Sequence, residues 1–172
     1  FEPGERNAIK TSIGFVDHIW ELFGALNHGV ASVIFPAEVM ADIDLLVQKL
    51  SSEKISRLVL VPSLLKMLLS RLGPEENYSL PLLRYWISSG ETLPTDLVSD
   101  FYKKFPAASH KLLNIYGCSE VTADVCCYDT STCLHGNASI IDKSTQLIPL
   151  GKPISNTNIY LLDDLKQLVA RG

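Results

Sequence analysis

The residues of this chain best equipped for chemistry crowd into "NIYGCSE", Asn114 to Glu120, directly after the apolar run that begins at Lys111. An aromatic ring such as Tyr116 could stack on a planar base. The Ser119 hydroxyl could hydrogen-bond a phosphate oxygen, and the Glu120 carboxylate could hold Mg²⁺. Turns are rich in the same residue types, so composition alone leaves a plain turn open. "ISSGETLP", Ile87 to Pro94, is a second such loop, where Gly90 would let the backbone approach a ligand closely or simply turn. A third stretch, "SIGFVDHIWELFGAL" (Ser12 to Leu26), sets Asp17, His18 and Glu21 in an apolar run around Trp20. A buried carboxylate there is costly unless something pairs with it.

The elements that must position these residues alternate along the chain. Phe15, Ile19, Leu22 or Phe23, and Leu26 recur at helical spacing, and Gly29 ends that helix. Residues 30–35 read as a strand, 41–52 as an amphipathic helix and 57–62 as a second strand. A helix over 63–73 follows, with Ser63 as its cap and Gly73 past its end. Residues 83–90 and 111–117 are further strands. They flank a helix from Pro94 with Thr95 as a candidate cap, and "NTNIYLLD" (156–163) reads as a fifth strand. Strands separated by helices predict an α/β fold, a mostly parallel sheet with helices on its faces. Ligands in such sheets sit where strands end, which is where the two loops fall.

The 172 residues carry a net charge of −4, with 47% hydrophobic and 20% charged residues. No Lys/Arg block points to nucleic acid or to a membrane surface, and no apolar run approaches the roughly 20 residues of a membrane span. Cys118, Cys126, Cys127 and Cys133 lack paired CxxC spacing and read as reduced thiols of a cytoplasmic protein. Neither Phe1 nor "LLDDLKQLVARG" looks like a domain edge, so the chain reads as a fragment.

These stretches resemble the motifs of the adenylate-forming superfamily, which includes acyl-CoA synthetases, luciferases and the adenylation domains of nonribosomal peptide synthetases. "NIYGCSE" is similar to its N-x-Y-G-x-[ST]-E motif, and "SIGFVDHIWELFGAL" to the F-D-x-S-x-W-E helix of amino-acid-activating members. "SGETLP" is similar to the G-G-E-x-L loop, with Ser89-Gly90 where a Gly-Gly pair is usual. "PLGKPISNTNIYLLD" is similar to the G-[RK]-P-[IL]-x-N-x-x-x-Y-[IVL]-L-D segment. The order along the chain is the family's order.

The resemblance implies that residues 1–172 are a partial AMP-dependent synthetase/ligase (adenylation) domain, part of its large N-terminal region. The phosphate loop would lie upstream and the small lysine-bearing subdomain downstream, so the isolated chain is expected to be inactive. It implies a nucleotide site of Gly90, Glu91, Asn114, Tyr116, Gly117 and Ser119, with Tyr116 and the Gly90–Glu91 backbone along adenine. Ser119 and Glu120 would act on the phosphates, Glu120 through Mg²⁺. A carboxylate would attack the α-phosphate of ATP, releasing pyrophosphate, and a thiol would then displace AMP.

In α-amino-acid activators the residue after the motif Phe is an aspartate that pairs with the substrate ammonium. Here Val16 stands there and the carboxylate is Asp17, one place along. The remaining pocket positions map to Trp20, Val59, Ile87, Ser89, Ile115, Ala123 and Asp124. Read in order they are similar to the pattern of β-alanine-activating adenylation domains, with Ile115 the departure. The resemblance thus implies a short amino acid, probe substrate β-alanine, passed to a phosphopantetheine carrier thiol. An acyl-CoA synthetase acting on a small acyl or aryl carboxylate, with CoA as acceptor, is the alternative within the class. A truncated chain that only binds nucleotide or a partner is the alternative outside it. His18 could orient Asp17 or lie at the pocket edge.

Overall fold

In the computed structural model, which describes residues 1–73, 79–134 and 147–169, the apolar runs build a seven-stranded sheet. Its strands are β1 (Arg6–Ile9), β2 (Ala31–Ile34), β3 (Arg57–Leu60), β4 (Tyr85–Ser88), β5 (Lys111–Cys118), β6 (Ala123–Asp129) and β7 (Lys152–Pro153), in the order β2-β1-β3-β4-β5-β6-β7. The pairs from β2 to β5 are parallel; β5–β6 and β6–β7 are antiparallel. The α/β expectation holds.

Register decides what each face carries, because side chains alternate along a strand. Leu58, Trp86 and Leu112 are aligned across β3, β4 and β5. They point into the core with residues of α4 (Ile43–Ser52), α5 (Pro62–Arg71) and α6 (Thr95–Lys104), including Leu46, Leu65 and Phe101. Trp86 donates its indole N–H to the Leu83 carbonyl at 2.7 Å and meets Phe101 edge-on. The next row, Val59 and Ile87, faces the other way, and Ser89 and Ile115 continue that alternation.

The helical segment lying toward that second face begins with α1 (Asp17–Ile19), passes through a π-helical turn (Trp20–Gly24) and ends in α2 (Ala25–Asn27). Asn7, aligned with Arg57 and so on the face of Val59, donates its side-chain amide to the Glu21 carbonyl at 2.7 Å. A short α3 (Ala37–Met40) follows β2. Among the described residues no helix is long and apolar enough to cross a membrane. All four cysteines are free thiols.

Several local expectations need correction. Residues 156–163 form no strand; Leu162 only bridges to Leu168. The sheet instead includes β1 and β6, each next to an edge strand, whose "RNAI" and "ADVCCYD" lack a long apolar signal. Ser63 does not cap α5, which starts at Pro62 after Val61, since proline suits the first helical position. Likewise α6 begins at Thr95 itself, with Pro94 as the flanking residue. The apolar stripe of the first helix is exposed, Phe15 at 69% and Leu26 at 59%. Glu21 and Ala25 are the residues that segment buries, because hydrogen bonds to β1 and its following loop fix which side faces inward.

Candidate active site

The turn after β4, the middle of β5 and residues 148–150 surround an open cavity of about 290 Å³. Gly90, Glu91, Asn114, Tyr116 and Gly117 all line it, so the structure brings most of the expected nucleotide site together. Gly90 has φ +82°, a conformation in which a side chain is strained. The Glu91 side chain is committed elsewhere. Its two oxygens accept from the Ser63 backbone N–H at 3.0 Å and the Ser63 hydroxyl at 2.9 Å, satisfying the start of α5. Asn114 is buried and donates to the Pro149 carbonyl at 2.9 Å, which fixes the 148–150 segment beside the cavity. Thr92, Leu93, Ile148 and Leu150 also line the cavity. Sequence reasoning missed Ile148 and Leu150, although they flank Pro149 in the glycine-lysine-proline motif.

Tyr116 is half exposed, its ring available to a flat ligand. Gly117 sits at the irregularity between β5 and β6, and a Cβ there would lie only 1.7 Å from the Ala123 carbonyl oxygen. The obstruction is backbone, so the strands themselves would have to part. Gly117→Ala is expected to cost about 1–3 kcal/mol, read as a lowered thermal midpoint. An unchanged midpoint would contradict that close approach.

Ser119 and Glu120 occupy an exposed 3-10 turn (Ser119–Val121) after β5 and do not line the cavity. The chain returns into β6 through Thr122 and Ala123, both at positive φ. Hydrogen bonding from its own backbone N–H, and then from Cys118, holds the Glu120 carboxyl below the usual range.

The expected selectivity residues come from three elements. Val16 and Trp20 are half buried on the first helical segment, with the Trp20 indole N–H buried and unpartnered. Val59, Ile87 and Ser89 are buried on the second face of the sheet, and Ile115 and Ala123 are half buried. Asp124, on β6, accepts a long 3.5 Å hydrogen bond from Ser89. Burial, and then the charge of Asp17, pushes its carboxyl up to about 6. The charge of Asp17 is thus felt at Asp124. Asp17 lies in the first turn of α1, and neither carboxylate is in an ion pair among the described residues. The His18 Nδ1–H donates to the Phe15 carbonyl at 2.7 Å.

Two neighbours, Glu21 and Lys10, are given no place in the site by sequence reasoning. Glu21, fully buried, accepts from the backbone N–H groups of Lys10 (3.0 Å) and Thr11 (2.9 Å) and from the Thr11 hydroxyl (2.7 Å). Lys10 lies 3.8 Å from it. A lysine at the end of a short strand gives no periodic signal.

Residues 2–172 match the family model described as AMP-binding enzyme. The chain belongs to the AMP-binding enzyme family. It is 40% identical over 161 residues to the beta-alanyl-bioamine nonribosomal peptide synthetase ebony of Drosophila melanogaster, covering 91% of this chain and 18% of that protein. Among solved structures it is similar to the AMPPNP-bound form of the nonribosomal peptide synthetase FmoA3. That match has a TM-score of 0.79 and 23% identity, over 94% of this chain and 16% of the other. It is also similar to PA1221, a protein containing adenylation and PCP domains, with a TM-score of 0.76 and 25% identity, over 99% of this chain and 32% of the other. The chain thus spans under a fifth of ebony's length.

For an AMP-binding chain the donor set has a definite capacity. Among the described residues no group of three or more His, Cys, Asp or Glu side chains forms a metal cage. Glu120, exposed and held in its charged form, is a single hard oxygen donor. That fits Mg²⁺ held jointly with nucleotide phosphates, the usual arrangement for this ion, rather than a resident metal.

Proposed function

We propose that the chain is part of an AMP-forming adenylation domain that activates a short amino acid, β-alanine above all, for transfer to a phosphopantetheine carrier thiol. The observation that carries the substrate reading is the pair Asp17 and Asp124, two partly buried carboxylates without an ion-pair partner among the described residues. Such a pair is costly when empty and is relieved by an ammonium group. Likeness to ebony, whose name includes beta-alanyl, and to a protein with adenylation and PCP domains supports the substrate and the acceptor.

Tyr116 stacks on the adenine and the Gly90 backbone runs beside it. Ser119 donates to the α-phosphate, and Glu120 would hold Mg²⁺ jointly with the phosphates, where the ion would supply positive charge against theirs. Asp17 and Asp124 hold the substrate ammonium, and Trp20 keeps the cavity short. The substrate carboxylate oxygen then attacks the α-phosphorus. These groups orient two anions and offset their repulsion.

ATP–pyrophosphate exchange by the full-length protein against α-amino, β-amino and plain carboxylic acids tests the proposal. Exchange with α-amino acids but not β-alanine would sink the substrate reading. The pH profile gives a second test. The raised Asp124 carboxyl is protonated below about pH 6 in the empty site, so kcat/KM for β-alanine is expected to fall there. A bound ammonium favours the carboxylate, so the acid limb of kcat itself should lie at lower pH. Coincident limbs would remove Asp124 from contact with the substrate.

A further inference from the structure

Gly90 gives the cavity a wall that its own backbone does not fix. A glycine at φ +82° is unstrained, but it loses more conformational freedom on ordering than any other residue. Its neighbours must therefore supply the order. β4 ends beside β3, with Ser88 aligned on Leu60, and the Ser89 N–H continues that pairing by donating to the Leu60 carbonyl at 3.1 Å. The position a Cβ would take on Gly90 lies 3.5 Å from Val61 Cγ1, so the turn rests on the residue just before α5. Further along, the Leu93 carbonyl accepts from the Ile148 N–H at 3.1 Å, and Pro94 bridges to Leu147.

Between those backbone ties stands the Glu91 side chain. Glu91 lines the cavity, yet its carboxylate is bound to the first turn of α5. Oε2 accepts from the Ser63 N–H at 3.0 Å and Oε1 from the Ser63 hydroxyl at 2.9 Å. α5 is a firm anchor, since Pro62, Leu65, Leu68 and Leu69 are buried. The Ser63 N–H is a helix-start donor with no intrahelical partner, and an anion there also meets the favourable end of the helix dipole. A two-point grip of this kind fixes the side chain and, through it, the backbone that carries it. It also offsets a negative charge that would otherwise oppose an anionic nucleotide.

We propose that Glu91 is a positioning residue for the nucleotide: by gripping the start of α5 through Ser63, it holds the Gly90 turn as a rigid wall for the base. α5 thereby serves the nucleotide site without touching the ligand. The proposal rests on the nucleotide half of the reading above and on nothing in the choice of amino acid.

Calorimetric titration of the full-length protein with AMP tests this, since AMP binding needs neither amino acid nor carrier. Glu91→Ala is expected to weaken AMP binding about tenfold, as if the competent wall were present in about a tenth of the molecules. Glu91→Gln should stay within about threefold of the unaltered protein, because an amide can accept from the Ser63 N–H and donate to the Ser63 hydroxyl oxygen. Ser63→Ala keeps the backbone donor and should cost about threefold, and adding it to Glu91→Ala should cost nothing more. Full additivity of the two losses would overturn the proposal, because Glu91 would then act elsewhere. So would equal losses in Glu91→Gln and Glu91→Ala, which would make the carboxylate itself a ligand of nucleotide or metal. A lowered thermal midpoint in Glu91→Ala with AMP affinity unchanged would reduce the contact to a helix cap and also overturn it. If Glu91→Ala does not fold, Ser63→Ala judges the contact by itself, and unchanged affinity in it overturns the proposal. Tyr116→Ala separates this proposal from the reading beneath it. Weakened AMP binding there beside an unchanged Glu91→Ala sinks the proposal alone; unchanged binding in Tyr116→Ala sinks the base site and the proposal with it.

Discussion

Asp17→Ala is expected to remove β-alanine-dependent pyrophosphate exchange from the full-length protein, while exchange with an uncharged acid of similar length survives. Deleting one partner of a desolvated charge pair costs about 2–5 kcal/mol, or roughly 30- to 5,000-fold in kcat/KM. A sharper form moves the carboxylate back. Val16 and Asp17 are adjacent on a helical backbone, so they differ by about 100° around the axis as well as by one step along it. Val16→Asp combined with Asp17→Ala should therefore shift preference from β-amino toward α-amino acids. Equal loss with charged and uncharged substrates would mean that Asp17 supports the fold and not the ammonium.

What made the site legible was local. "NIYGCSE" and "ISSGETLP" each end an apolar strand, and Gly90, Asn114, Tyr116 and Gly117 meet at one cavity because β4 and β5 are parallel neighbours. The same parallel register places Val59, Ile87, Ser89 and Ile115 on one face from their parity alone. What stayed hidden depends on pairing between distant segments. Glu91 reads as a ligand contact in its loop, but its carboxylate is held by Ser63 at the start of α5. Asn114 lines the cavity and also ties down Pro149. The strands β1 and β6 gain their place from partners, with polar residues such as Asn7 and Asp124 that a strand signal would exclude. Lys10 and Glu21 acquire meaning only once β1 and the first helical segment are packed together.

Arg57→Ala should be the most damaging substitution outside the site. The Glu5 side chain is fully buried and Arg57 holds it with both ends of its guanidinium, Nε to Oε2 at 2.8 Å and Nη2 to Oε1 at 3.0 Å. The guanidinium also lies between the rings of Phe1 and Tyr85, 4.4 Å from each centroid. Removing it strands a buried carboxylate, at a cost of about 3–5 kcal/mol in denaturant unfolding. Burial alone would raise the Glu5 carboxyl, but the Arg57 hydrogen bonds and charge outweigh it and hold the group below its ordinary range. In the unaltered protein this contribution is therefore present above the unfolded-state pKa and is lost as pH falls through the folded value. In Arg57→Ala burial is opposed only by the N-terminal charge and a backbone hydrogen bond from Glu2, so the variant has less of this contribution to lose as pH falls. The two stability curves should converge in acid and diverge toward neutrality. Pairing Arg57→Met with Glu5→Gln removes both charges and should recover most of the loss, since the penalty belongs to the orphaned carboxylate. Parallel curves, or no recovery in the double variant, would assign the effect to lost packing of the guanidinium between Phe1 and Tyr85 instead.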